Sequence, residues 1–354
     1  MARSALTNSA VRHQVMLERL KAAEAREFNK LIPVLERQVR ETLAALGEPV
    51  QSLTRGRLNG LLRELRAAQA AALEQAQDKL LRRLRNIAAY ESKFEAESIT
   101  AQTPRGFTFA AATTEAAWAS ATAVPLSATG DLLEPFVRDM TKREVDTINK
   151  VIMRGYSEGW TNDEITRVLR GTKKLNYKDG LMSSLGKHNS TLVRTAVQHV
   201  SNQAREATWE ENDITQYRWV STLDGRTTSQ CRSLDGKIFT IGKGPRPPIH
   251  MNCRSTTVAI IPGLENLSDI LTRASQDGQV KGSLTYYEWL KTQSAQFQDS
   301  VLGPVRGKLF RDGGLSAERF AQLQLSAVFE PLSLEEMRKL EPRAFLRAGI
   351  EDDD

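Results

Sequence analysis

The chain has 354 residues, 40% apolar, 26% charged and only 6% aromatic, with 49 Lys and Arg against 43 Asp and Glu. That length gives one large domain or two ordinary ones, and a composition led by Ala, Leu, Arg, Glu and Gln excludes an all-β architecture for most of it. The basic surplus is uneven, with 17 basic against 11 acidic residues in 1–95, 6 against 2 in 224–254 and 11 against 15 in 255–354, a distribution that suits a polyanionic partner or an ordinary solvated surface.

From about Asn8 to Leu46 an apolar stripe (Val11, Val15, Leu20, Leu31, Val34, Leu35) between Arg and Glu positions predicts helix, with a kink or break at Pro33. Gly47, Glu48 and Pro49 stop it, and Ser52 or Thr54 caps a second helix to about Ser98, giving a long antiparallel hairpin without a strict heptad. Residues 99–130 turn rich in Ala, Thr and Ser, with Pro104, Gly106, Pro125 and Gly130, and read as a linker or extended arm. Helical patterning resumes over Leu132–Gly155. A further helix spans Trp160–Arg170, with Thr161 as N-cap and Glu164 at the capping-box position, and another covers about Lys187–Asn212 with His199 on a polar face. Three β-like runs follow at 216–222, 234–241 and 255–261, around a Gly- and Pro-rich stretch, GKGPRPPIHMNCR, that must be held by side chains or a ligand. Helical and turn segments then lead to an acidic EDDD end. The expected fold is therefore mainly α with a small β module (α+β). Its parts are a helical hairpin over 1–98, a linker over 99–130, a central domain of a helical layer and three strands over 131–262, and a helical C-terminal extension over 263–354.

The opening residues, MARSALTNSAVRHQ, lack the apolar core of a secretory signal, and the most apolar window, 110–129, is interrupted by Glu115 and Pro125. Two cysteines make no disulfide framework, so a reducing cytoplasm is expected.

Both cysteines and one of the four histidines fall in the β segment as Cys231, His250 and Cys253. Thiolate and imidazole are ligand types of a tetrahedral zinc site, and the H-x2-C spacing puts two of them on one tight loop. Zinc is thus the one cofactor the sequence suggests, with Asp224, Asp235, His199 or water as a fourth ligand. The competing reading is a small apolar Cys pair in a core with His250 bonding a turn. Cys231 with His250 could also form a nucleophile and base, although no orienting group or oxyanion donor is identifiable. Asp224 and Asp235, each followed by Gly, read first as turns. Basic side chains placed to meet a phosphate backbone are Lys243, Arg246 and Arg254 in the loop and Arg82, Arg83 and Arg85 on the second helix; the alternative for each is a local carboxylate partner.

The string RWVSTLDGRTTSQCRSLDGKIF followed by PPIHMNCRS resembles the signature of phage head-morphogenesis proteins, the minor head protein family typified by protein F of phage Mu. Trp219, Asp224, Arg226, Thr227, Cys231, Leu234, Asp235, Gly236, Pro247, Pro248, His250, Asn252, Cys253 and Arg254 fall on that pattern, and RTAVQHVSNQAREATWEEN extends the likeness to about 131–262. Ser255 stands where many relatives carry a final Cys, and Met251 replaces a usual Pro. The resemblance implies a non-enzymatic virion component. Its expected partners are the portal protein and capsid interior, with several copies around the portal, no membrane partner during assembly, and contact or ejection with packaged double-stranded DNA as further options. It would be found in the host cytoplasm during assembly and then in the head interior or at the portal vertex. The alternatives are a metal-assisted enzyme acting on nucleic acid or protein through the Cys231, His250 and Cys253 region, and a DNA-binding module proper.

Overall fold

A computed structural model describes residues 5–264 and 272–351. The last three acidic residues of the EDDD end and the side chain of Val11 lie outside the described residues. Helix α1 (Ala5–Phe28) and helix α2 (Leu31–Ala45) run antiparallel to the 48-residue α3 (Arg55–Gln102), which spans about 70 Å at 1.5 Å per residue. The break between α1 and α2 falls at Asn29 and Lys30, ahead of Pro33, because proline is tolerated in a first helical turn, where its missing N–H costs no bond. Thr54 caps α3 by accepting from the Arg57 N–H. Leu31 and Leu35 of the expected stripe are buried, whereas Val15 and Val34 are 48% and 37% exposed. The buried line runs instead through Leu17, Leu35, Val39 and Leu43.

The segment 99–130, expected as linker or arm, folds back instead. Its helix α4 (Thr114–Ala123) places Ala117 and Ala121, both fully buried, in one core with Leu84, Ala88, Ala196 and Val200. Alanines on the inner face let the helix axes approach closely, so a low-complexity composition here encodes tight packing. Helix α5 (Leu133–Glu158) ends on Gly159 in the left-handed region, φ 75°. Helix α6 (Asn162–Arg170) opens with the expected reciprocal capping box between Thr161 and Glu164. The 31-residue α7 (Leu181–Glu211) is the central post, packed by α1, α3, α4, α5 and α6.

Strand β1 (Gln216–Val220) lies between β2 (Ile238–Thr240) and β3 (Thr256–Ile260), antiparallel to both. The run expected as a turn and strand at 234–241 is shorter as a strand, because a helix precedes it: α8 (Ser229–Leu234), capped by Thr228. A second hairpin, β4 (Thr272–Ser275) and β5 (Gly278–Lys281), leads to α9 (Tyr286–Lys291), α10 (Ala295–Leu302), α11 (Pro304–Asp312), α12 (Ala317–Gln322), α13 (Leu334–Leu340) and α14 (Pro342–Arg347). These helices have their own core around Tyr287, Trp289, Phe310, Phe320 and Phe345. The whole is mainly α with small antiparallel β elements. Among the described residues no helix is long and apolar enough to cross a membrane.

Candidate functional site

Helix α7 is buried on every side over its second half, and one of its stripes is polar. Thr191, Thr195, Gln198, Asn202 and Arg205 recur at intervals of four and three, so they share a face. That face holds the irregular loop after β2. The Thr195 hydroxyl accepts from the Asn252 N–H at 3.0 Å, and the Thr191 hydroxyl accepts from Asn252 Nδ2 at 3.0 Å. Gln198 Nε2 donates to the Ser255 carbonyl at 3.1 Å, and Asn202 Nδ2 to the Pro247 carbonyl at 3.1 Å. Arg205 donates to Thr256 Oγ1 at 2.6 Å and the Thr257 carbonyl at 2.8 Å while pairing with Glu95 of α3 at 2.7 Å. From α1, buried Lys21 donates to Gln198 and reaches the Cys253 carbonyl at 3.5 Å. Loop carbonyls that regular structure would have paired are thus paired by side chains, as buried backbone polar groups require.

This lattice delivers Cys231, on α8, next to His250 and Cys253, on the loop. The Cys231 Sγ lies 3.2 Å from His250 Nε2 and 3.7 Å from Cys253 Sγ. His250 Nδ1 is 2.9 Å from the Met251 carbonyl and must donate to it, which leaves Nε2 facing the sulfurs and the Thr228 hydroxyl, 3.0 Å away. Both sulfurs are buried against Trp219 and Leu234. An S–H from Cys231 to Cys253, reinforced by His250, holds Cys253 well below the ordinary thiol range against its burial, while the same pairing and burial push Cys231 up. Burial works against the imidazolium of His250, yet its bonds toward Cys253 and the Met251 carbonyl raise its pKa overall.

The two Asp-Gly pairs do more than turn the chain. Asp224 accepts a bidentate pair from Arg254, at 2.6 and 2.8 Å, together with the Arg226 N–H and the Thr227 hydroxyl. Asp235, with a fully buried side chain, accepts from the Ser221 and Tyr286 N–H groups, each at 2.7 Å, and from Arg273 at 2.8 and 2.9 Å. Gly236 follows at φ 81°, a conformation glycine adopts at no steric cost. Trp219 is buried, its indole N–H donating to Ser221 Oγ at 2.9 Å, and Ser221 in turn donates to the Cys231 carbonyl at 2.7 Å. Asn252, at φ 59°, makes the loop's left-handed turn.

Residues 146–258, which contain this whole lattice apart from its α1, α3 and C-terminal partners, match the family model for Phage Mu protein F like protein. Over these residues the chain is similar to that family, and the segment is called the Mu F-like domain below. No curated protein and no solved structure matches the chain. The Mu F-like match supports a phage head morphogenesis protein and a virion association.

Within the Mu F-like domain the three candidates for a fourth ligand are committed elsewhere. Asp224 and Asp235 hold arginines, and His199 is not on a polar face: it is buried, bonded to the Ala121 carbonyl at 2.9 Å, and held neutral by burial with its pKa lowered to about 4. Four of the six candidate phosphate-binding cations have carboxylate partners: Arg83 with Glu24, Arg85 with Glu115, Arg246 with Glu206 and Arg254 with Asp224. Arg82 and Lys243 are exposed, with no ion pair among the described residues. The fold puts none of Arg82, Arg83 and Arg85 in the cleft beside His250. That cleft, of about 580 Å³, is lined by Lys187, Arg194, Arg226 and Arg254 and, at its inner edge, by Thr228 and His250. Lys21, Arg205, Ser221, Thr228 and Arg273 escaped the sequence reading. For Arg205 the helical spacing from Gln198 and Asn202 was an available signal; Lys21 and Arg273 gave none, being distant in sequence from what they hold.

Proposed function

We propose that this chain is a non-enzymatic minor structural protein of a tailed-phage head, docking in several copies on the portal or the capsid interior during assembly. The observation that carries the reading is the Mu F-like match over 146–258. The side-chain lattice supports a structural role, because Thr191, Thr195, Gln198, Asn202 and Arg205 of α7 are spent on holding one loop in place. The long pair formed by α1 and α2 against α3 supplies an extended lateral surface suited to contact a ring-shaped partner, and the partly unpaired cleft cations tolerate packaged DNA nearby.

Co-sedimentation with purified portal rings and with empty proheads tests the proposal. The expected result is saturable binding to one of them that persists in Cys231→Ser protein retaining its fold. Binding to neither refutes docking. DNA contact predicts affinity that falls steeply with salt, and absent or salt-insensitive binding removes that part alone. The enzymatic alternative predicts a turnover lost in a variant that still assembles.

A further inference from the structure

The geometry points to a zinc centre held by Cys231, His250 and Cys253, with its fourth position open to the cleft beside Thr228 and filled by water. Tetrahedral zinc with bonds of about 2.3 Å to sulfur and about 2.0 Å to nitrogen sets donor atoms about 3.8 Å apart for two sulfurs and about 3.6 Å apart for sulfur and nitrogen. The sulfurs here are 3.7 Å apart and Nε2 is 3.2 Å from Cys231 Sγ, with all three donor atoms within 4.8 Å of one another. Little movement is therefore needed to seat the ion.

Two further features fit a ligand set better than an apolar cysteine pair. The Nδ1 bond to the Met251 carbonyl is the outer-shell contact that fixes a ligating imidazole with Nε2 bare. Two thiolates neutralise a divalent cation, so the loaded site is uncharged in a core lined by Trp219, Leu234 and Leu325. The donors are sulfur and nitrogen, which selects zinc over magnesium or calcium. The direction of opening follows from burial: both cysteines are 1% exposed, whereas Thr228 is exposed and its hydroxyl sits 3.0 Å from Nε2. With three protein ligands, the remaining coordination site faces solvent in the cationic cleft, where Lys187 and Arg226 would favour an anion replacing the water.

Elemental analysis of full-length protein purified under reducing conditions without chelator comes first, followed by cobalt substitution. The expected results are about one zinc per chain, intense visible cobalt bands of a tetrahedral sulfur-containing site, and a shift of those bands on adding thiocyanate or inorganic phosphate. Thr228→Val should keep both metal and anion response, while His250→Ala, which leaves the buried sulfurs in place, should lose most of the metal. Folded wild-type protein that takes up neither zinc nor cobalt overturns the proposal, as does a Cys231–Cys253 disulfide found by mass under the same reducing conditions. Metal with bands indifferent to every added anion overturns the open fourth position.

Discussion

Replacing Asp235 tests whether this carboxylate is the joint between the Mu F-like domain and the C-terminal helices. Its oxygens accept from Ser221 at the end of β1, from Tyr286 at the start of α9 and twice from Arg273 of β4, with the aspartate side chain 0% and the arginine side chain 11% exposed. Asp235→Ala leaves a buried guanidinium without its counter-charge, a loss of about 3–5 kcal/mol. The two orphaned N–H groups add to that only in part, since water enters the space left by the side chain. Asp235→Asn keeps one carbonyl acceptor and should cost less. The decisive comparison is Arg273→Met combined with Asp235→Leu, which removes both charges and should recover much of the loss. Urea unfolding followed by tryptophan fluorescence reads the effect, with Trp219 on one side of the joint and Trp289 on the other, both buried. A loss below about 1 kcal/mol in Asp235→Ala, the size of a surface pair, would refute the reasoning, as would additive losses in the double variant.

Further expectations concern the loop and a buried acid. A Cβ on Gly244 would come within 2.4 Å of Phe239 Cβ and 2.5 Å of the Tyr217 hydroxyl, so Gly244→Ala should lower stability by about 1–3 kcal/mol in the same unfolding assay. It should also weaken the 2.6 Å bond from Tyr217 to the Pro245 carbonyl. Asn252→Val puts a β-branched residue at φ 59° and removes the bond to Thr191, which should cost about 2 kcal/mol, while Asn252→Gly should cost less. Glu144 has its pKa raised by burial to about 8, opposed by the Asn189 amide. Between its ordinary value near 4.5 and about 8 the folded state keeps a proton that the unfolded chain has released, so stability falls as pH rises across that window. Glu144→Gln should flatten the slope and gain on the order of 3 kcal/mol at pH 8 relative to wild type; denaturation midpoints at pH 5 and pH 8 that shift equally in both proteins would contradict this.

Local signals were enough for most helices and for the family resemblance. Capping chemistry at Thr161 and Glu164 involves residues three apart, so it is complete in the sequence, and the order from Trp219 through Arg254 fixed the family resemblance. The packing of α4 was not legible, because an Ala- and Ser-rich run describes a flexible arm and a closely packed helix equally well until a facing surface exists. His199 was misplaced for a related reason: a helix packed on all sides turns no face to solvent, and only the elements around α7 decide which polar residues are covered. The two Asp-Gly turns are local, whereas their counter-ions are not: α8, β2 and the loop separate Arg254 from Asp224, and Arg273 lies beyond the family match altogether. Sequence alone determined which residues can turn, cap, or offer a sulfur or a nitrogen. Tertiary structure decided which of them meet, because a buried charge or lone pair takes its partner from whatever the fold packs against it.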